Sequence, residues 1–194
     1  MKGRGHRIVV FASGGGSNFE ALASACKEGR IVADIALLVV SSMEAGAIQR
    51  AKKFDIPVSI DTDFEAIKQA NPTLICLAGY MKLVPKSVLA LAPTMNIHPA
   101  LLPSFGGKGM YGKHVHKAVI DSGVKQSGAT VHFVDDKYDT GPIIMQQSVP
   151  IAEGETPDTL AKKVLEVEHV IYPRAVELFC NGEIFLENGQ VRFG

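Results

Sequence analysis

Short apolar runs recur along this chain, and segments with helical periodicity lie between them. The early runs are apolar at nearly every position instead of every second one, which is typical of parallel strands covered on both faces. Most are rich in valine and isoleucine, which favour strands. Seven runs have the length of a strand: 7–12, 34–40, 58–60, 73–78, 94–97, 129–134 and 143–151.

The segments between these runs carry apolar stripes with helical spacing. The stripes are formed by Phe19, Leu22, Ala23 and Cys26, by Ala47, Ile48 and Ala51, and by a shorter group at 88–91. Strands that alternate with helices predict an α/β domain, with a mostly parallel sheet and helices on both faces.

The last part of the chain carries clear helix and turn signals. Thr156 can cap a helix that begins with Pro157 and Asp158, and Pro173 should kink or end that helix. Asn-Gly pairs at 181–182 and 188–189 then divide the final stretch into two short strand-like pieces. The glycine-rich stretch 105–112 is predicted to be a long irregular loop of functional importance.

Composition limits the classes of function. With 194 residues, 20.7 kDa and 46% hydrophobic residues, one domain over 1–194 is expected. Twenty basic residues balance twenty acidic ones, so nucleic acid is a disfavoured partner. Lys2, Arg4 and Arg7 precede an apolar run too short for a secretory signal, and no apolar run can span a membrane. We expect a soluble cytoplasmic protein without a membrane partner, whose three cysteines are reduced core thiols.

The loop 13–18, Ser-Gly-Gly-Gly-Ser-Asn, joins the first strand to the first helix. Backbone N–H groups and the positive helix end favour an anion there, so a phosphate site is predicted. Phe19 stands where both the dinucleotide fingerprint and the esterase elbow need glycine, and the Gly-Lys-Ser/Thr end of a Walker loop is absent. The alternative is that Ser17 only caps the helix, with Glu20 completing a capping box.

Three polar residues form the strongest chemical candidate. Asn96 and His98 lie two residues apart at the end of a predicted strand, so their side chains should share one face. Asp139 follows the next strand-like run and lies in a turn-like segment. An amide donor, an imidazole and a carboxylate could stabilise a tetrahedral oxyanion and move a proton. A nearby carboxylate should raise the pKa of His98 against the effect of burial.

Other histidines carry weaker signals. His114 and His116 are predicted at surface positions of a helix, and residues two apart on a helix do not form a metal site. His132 could face a ligand or serve as a buried structural residue.

The segments 11–18, 77–81, 96–103, 127–134 and 139–142 resemble the phosphoribosylglycinamide formyltransferases, folate-dependent enzymes of purine synthesis. The resemblance extends through Glu168-His169 and Tyr172-Pro173. It implies a Rossmann-like fold, with a phosphate-binding half at about 1–95 and a folate-binding, catalytic half at about 96–194. It also implies formyl transfer from 10-formyltetrahydrofolate to the amine of glycinamide ribonucleotide, both small-molecule substrates, without a metal, in a monomer or a homodimer.

The resemblance also implies roles for particular residues. Catalysis would fall to Asn96, His98 and Asp139. The substrate phosphate would be bound by Gly16, Ser17 and Asn18, with Glu168 on the ribose hydroxyls. The folate pocket would be formed by Met81, Lys82, Leu83 and Val84.

The chain departs from many of these enzymes at three places. The loop 105–112 is a few residues longer, Lys82 stands in place of an arginine, and 61–70 contains no arginine but only Lys68. The resemblance therefore assigns no residue to the glutamate tail of the folate. Three alternatives remain: methionyl-tRNA formyltransferase, with an extra C-terminal domain; formyltetrahydrofolate deformylase, with water as nucleophile; and a non-catalytic nucleotide-binding module.

Overall fold

Seven strands make up the central sheet in the computed structural model, which describes residues 5–194. Lys2 and Arg4 lie outside the described residues. The strands are β1 His6–Ala12, β2 Ala33–Val40, β3 Val58–Ile60, β4 Leu74–Leu77, β5 Thr94–His98, β6 Gln126–Phe133 and β7 Ile143–Pro150. All seven predicted strands are confirmed, with ends that differ by up to three residues.

The sheet has the order β3-β2-β1-β4-β5-β6-β7. Strands β1 to β5 pair in parallel, whereas β6 is antiparallel to both β5 and β7. The predicted mostly parallel sheet is confirmed. The strand order reverses between β1 and β4, and in open α/β sheets such a reversal opens a crevice at the carboxyl ends of the strands.

Six helices accompany the sheet in the described part of the chain: α1 Ser17–Lys27, α2 Ala47–Lys52, α3 Phe64–Gln69, α4 Lys86–Leu89, α5 Lys113–Asp121 and α6 Pro157–Cys180. Alternate residues of β1 explain their distribution. Ile8 and Val10 pack in the cluster that includes α1, α2, α5 and α6, whereas Val9 and Phe11 pack in the cluster that includes α3 and α4. Helices therefore cover both faces, as predicted.

The helix α6 is the longest element and ties several others together. Thr156 caps it as predicted, by accepting the N–H of Thr159 at 3.3 Å. Pro173 lies inside the helix, which continues to Cys180, so the proline does not end it. The buried Tyr172 hydroxyl lies 3.0 Å from the carbonyl oxygen of Leu77 and 3.2 Å from that of Met95, in β4 and β5.

The chain beyond α6 forms the two short strands expected from its Asn-Gly pairs, β8 Ile184–Glu187 and β9 Gln190–Phe193. Cys26, Cys76 and Cys180 are free thiols, each buried or half-buried. Burial raises the pKa of Cys26 to about 11 and that of Cys180 to about 12. Within residues 5–194, no helix has the length and apolar character needed to cross a bilayer.

Candidate active site

A cavity of about 650 Å³ lies at the carboxyl ends of β1, β4 and β5. Its position agrees with the crevice expected where the strand order reverses. Its lining includes Gly14 and Asn18 of the glycine loop 13–18. It also includes residues of the segment 79–84, of the loop 107–112 and of the turn 134–139. The cavity therefore collects chain segments that are far apart in the sequence.

The structure brings Asn96, His98 and Asp139 together in this cavity. Asn96 Nδ2 lies 3.4 Å from Asp139 Oδ1, and His98 Nδ1 lies 3.6 Å from Asp139 Oδ2. Asn96 and His98 point to the same side of β5 and both line the cavity. An amide, an imidazole and a carboxylate are thus grouped around one point.

The protonation of His98 differs from the sequence prediction. Its Nε2 lies 2.9 Å from the carbonyl oxygen of Phe105, which can only accept, so Nε2 carries a hydrogen. Burial lowers the pKa of His98 and outweighs the opposing effect of Asp139. The expectation of a raised pKa was wrong, because the low-dielectric surroundings of the ring disfavour the imidazolium more than one carboxylate favours it. Nδ1, the other ring nitrogen, is the one that faces Asp139.

Asp139 is held by backbone as well as side-chain groups. It adopts a left-handed conformation with φ of 56°, which aspartate tolerates in turns. Its Oδ2 accepts the N–H of Gly107 at 2.9 Å, from the long loop. Burial alone would raise the pKa of Asp139, but His132, His98 and the Gly107 N–H outweigh it, and the pKa is lowered. Asp139 is therefore a carboxylate at neutral pH.

His132 belongs to the same group, although the sequence left its role open. Its Nδ1 lies 2.7 Å from the carbonyl oxygen of Phe133 and must carry the hydrogen, so the neutral ring accepts at Nε2. Asn96 Nδ2 lies 3.1 Å from that nitrogen. His132 thereby fixes which way the Asn96 amide faces. The antiparallel register opposes these two residues directly, and sequence analysis would have paired them had it predicted β6 as antiparallel.

Sequence analysis misplaced His116. It was expected at the surface of α5, but it is buried and lines the cavity, whereas His114 is exposed. The reason is that α5 packs on α6 and turns this position inwards. Burial lowers the pKa of His116, and its Nδ1 has no hydrogen-bond partner among residues 5–194.

The glycine loop does not follow the simple capping alternative. Gly16, with φ of 75°, takes the N-cap position of α1, Ser17 is the first helical residue, and no side chain among residues 5–194 caps the helix. Glu20 forms ion pairs with Arg50 and Lys53 instead of completing a capping box. The N-terminal amides of α1 are therefore left without a side-chain acceptor.

Asn18 and Glu168, predicted to serve the substrate, are joined by a hydrogen bond. Asn18 Nδ2 donates to Glu168 Oε2 at 2.6 Å, and both residues are buried and line the cavity. Gly16 and Ser17 are not among the lining residues. Burial raises the pKa of Glu168 to about 7, against the opposing effect of Asn18. Asn18 Oδ1 is buried without a partner in the described chain, so it is available to a ligand.

The segment predicted to hold a folate also borders the cavity. Its lining includes Met81, Lys82, Leu83 and Val84. Met81 and Leu83 are about half exposed, whereas Val84 is buried. The Lys82 ammonium lies 2.7 Å from Asp61 Oδ2, which also accepts from the Tyr80 hydroxyl at 2.9 Å. Asp61 thus forms an ion pair with Lys82, a contact that sequence analysis did not identify.

Comparisons with known proteins agree with this geometry. The formyl transferase family profile matches residues 6–176. The chain is 40% identical over 197 residues to the chloroplastic phosphoribosylglycinamide formyltransferase of Arabidopsis thaliana, covering 93% of this chain and 68% of that protein. It is 37% identical over 186 residues to the phosphoribosylglycinamide formyltransferase of Bacillus subtilis, covering 88% and 93%.

Among solved structures, glycinamide ribonucleotide transformylase 1 from Symbiobacterium toebii superposes with a TM-score of 0.90 at 35% identity, covering 99% of this chain and 95% of that one. The agreement in sequence and in fold extends over nearly the whole chain. The chain belongs to the formyl transferase family.

Proposed function

We propose that this chain transfers the formyl group of 10-formyltetrahydrofolate to the amine of glycinamide ribonucleotide, a step of purine synthesis. The observation that carries the proposal is that the Asn96, His98 and Asp139 group lines the same cavity as the Asn18–Glu168 pair. The names of the relatives support the same reaction. Both substrates are small molecules, and we propose that the enzyme works in the cytoplasm.

The proposed substrate contacts follow from the polar groups of the cavity. The phosphate would lie on the N-terminal amides of Gly16, Ser17 and Asn18, which suit an anion. Glu168 would accept the ribose hydroxyls, and Asn18 Oδ1 would gain a partner. Met81, Lys82, Leu83 and Val84 would border the folate. On this proposal, the half at about 1–95 supplies the phosphate site, and the half at about 96–194 supplies the reacting groups.

In the first step, the amine attacks the formyl carbon, a carbon–nitrogen bond forms, and the carbonyl electrons move to oxygen. One amide hydrogen of Asn96 is held by His132, and the other faces Asp139 at the long distance of 3.4 Å. That second hydrogen would be donated to the oxyanion. The proton released by the amine would pass to Nδ1 of His98, where Asp139 stabilises the imidazolium.

In the second step, the tetrahedral intermediate collapses and its bond to N10 breaks. The imidazolium of His98 would return its proton to N10, which gives tetrahydrofolate and formylglycinamide ribonucleotide. The lowered pKa of His98 suits this role, because the ring must be neutral to accept a proton and must release it easily. Asp139 would remain ionised throughout.

The test is formyl transfer from 10-formyltetrahydrofolate, assayed with and without glycinamide ribonucleotide. Formylated ribonucleotide should form only when that substrate is present. Asn96→Ala should lower kcat by about 10²–10³, with little change in either KM, because its donated hydrogen acts mainly in the transition state. Asn181→Ala, at an exposed helix end, is the control.

Other results would point to another function. Formate release without the ribonucleotide would identify a deformylase. Binding of glycinamide ribonucleotide with no turnover would identify a non-catalytic module. Near-normal turnover of Asn96→Ala would remove Asn96 from the proposed mechanism.

A further inference from the structure

Two consecutive carbonyl groups of the glycine loop are bonded to α2. The carbonyl oxygen of Gly14 accepts the N–H of Ala47 at 3.1 Å. The carbonyl oxygen of Gly15 accepts Nε–H of Arg50 at 2.7 Å, and this second bond depends on a side chain. The loop is therefore anchored on one side by its neighbouring helix.

This anchoring sets the direction of the amides. In a planar trans peptide the N–H of one residue points opposite to the C=O of the residue before it. Because the Gly14 and Gly15 carbonyls face α2, the N–H groups of Gly15 and Gly16 face away from it. The Gly16 carbonyl accepts the N–H of Glu20 within α1, so the Ser17 N–H points out of the helix end. None of these three amides donates to an acceptor among residues 5–194.

Open space lies beside the first two glycines of the loop. A Cβ atom built on Gly14 or Gly15 would meet nothing within 4 Å, whereas one on Gly16 would lie 2.5 Å from Ala47 Cβ. Gly14 lines the cavity, so this open space adjoins it. Successive free amides beside an open space form a concave anion site.

Arg50 is itself held in place. Its Nη1 forms an ion pair with Glu20, and Lys53 Nζ lies 3.1 Å from the other carboxylate oxygen. Nε and Nη1 are thus both engaged with protein groups. The guanidinium is suited to hold the loop backbone from the α2 side, and not to bind an anion directly.

We propose that Arg50 is a positioning residue for the substrate phosphate: its bond to the Gly15 carbonyl turns the loop amides away from α2, beside the part of the cavity that Gly14 lines. This inference rests on the proposed function, because it takes the anion to be the phosphate of glycinamide ribonucleotide. Arg50 touches neither substrate and acts through the orientation of the Gly15–Gly16 peptide.

The test compares Arg50→Lys and Arg50→Gln with two control variants. Arg50→Lys keeps the charge near Glu20 but loses the planar Nε–H donor. Lys52→Ala changes an exposed residue of α2 next to Lys53, and Lys53→Ala removes only the other partner of Glu20. Steady-state constants are measured for glycinamide ribonucleotide, for 10-formyltetrahydrofolate and for glycinamide riboside, which lacks the phosphate.

Both Arg50 variants should raise the KM for glycinamide ribonucleotide about tenfold, while kcat and the KM for the folate stay within about twofold. The kcat/KM for glycinamide riboside should not change, so the preference for the phosphorylated substrate falls about tenfold. Both controls should stay within about threefold of the wild type. Inhibition by ribose 5-phosphate should weaken by the same factor as the ribonucleotide KM rises.

An unchanged ribonucleotide KM in both Arg50 variants would overturn the inference. A parallel loss of kcat and of both affinities, with a lowered melting temperature, would also overturn it, because Arg50 would then be only structural. Failure of the proposed function is a separate result, since the wild-type enzyme would then not formylate the ribonucleotide at all.

Discussion

At the scale of single residues, the ring of His98 experiences two opposing influences. Burial lowers its pKa and the Asp139 carboxylate raises it, with burial the larger. Asp139→Asn removes the opposing influence, so the pKa of His98 should fall further. An NMR titration of the His98 ring should show a midpoint below 6.5 in the wild type and a lower one in the variant.

The matched control for this titration is Asp121→Asn, which removes an exposed carboxylate paired with Lys117. It should leave the His98 midpoint unchanged. If Asp139→Asn left the midpoint in place or raised it, the electrostatic link between the two residues would be refuted. The acid limb of kcat/KM should move in the same direction as the midpoint wherever activity remains measurable, because it reports the free enzyme.

Glu168 links a single residue to the stability of the fold. Burial raises its pKa from 4.5 to about 7, so the folded chain retains this proton to a higher pH than the unfolded chain does. Its stabilising contribution is fully present below about 4.5 and is lost as the pH rises through about 7. At about 1.36 kcal/mol per pKa unit, the loss is roughly 3 kcal/mol.

Glu168→Gln keeps an oxygen to accept from Asn18 and does not titrate. Its free energy of unfolding, measured by urea denaturation between pH 4.5 and 8, should lack this decline. The free energy of unfolding of the variant, relative to that of the wild type, should therefore increase as the pH rises. Glu166→Gln, at an exposed position of α6, should follow the wild type. Parallel curves for Glu168→Gln and the wild type would show that Glu168 ionises normally.

At the scale of elements, the loop 105–107 is what joins His98 to Asp139. The Phe105 carbonyl receives the His98 ring hydrogen, and the Gly107 N–H donates to Asp139. Gly106 lies between them, where an added Cβ would approach Leu102 Cδ2 to 2.5 Å and Asp139 Cβ to 3.2 Å. Neither atom can keep its position if that site gains a methyl group.

Gly106→Ala should therefore lower kcat about tenfold or more, since small misplacements of reacting groups reduce rates steeply. Thermal unfolding should change little in comparison, because the loop is partly exposed. Ser104→Ala is the matched control, an exposed position next to this loop with no side-chain hydrogen bond among the described residues. A Gly106→Ala enzyme with normal kcat would show that this loop does not set the catalytic geometry.

Sequence patterns predicted the elements well, because strand and helix periodicity depend on local burial. They predicted less about how elements face each other. The burial of His116 depends on α5 packing against α6, and the contact of His132 with Asn96 depends on β6 running antiparallel to β5. Neither pairing leaves a signal within a short window of sequence.

At the scale of the whole molecule, the grouping of Asn96, His98 and Asp139 was predicted from spacing and resemblance together. The protonation of His98 was not, because a pKa depends on the balance of burial and charge in three dimensions. The support of the glycine loop by Arg50 was also missed, since a side chain that bonds to a distant backbone carbonyl has no sequence pattern. The monomer or homodimer state stays a prediction.

The helix α6 contacts α1 and two strands of the sheet. Glu168 accepts a hydrogen bond from Asn18 of α1, and the Tyr172 hydroxyl, one helical turn later, reaches carbonyl oxygens of β4 and β5. Tyr172→Phe would remove a buried hydroxyl and leave one or both strand carbonyls unpaired. We expect it to lower the free energy of unfolding by about 1–3 kcal/mol in urea denaturation. Phe185→Leu, in the exposed hairpin, should change stability far less. An unchanged free energy of unfolding in Tyr172→Phe would show that these bonds do not help to hold α6 on the sheet.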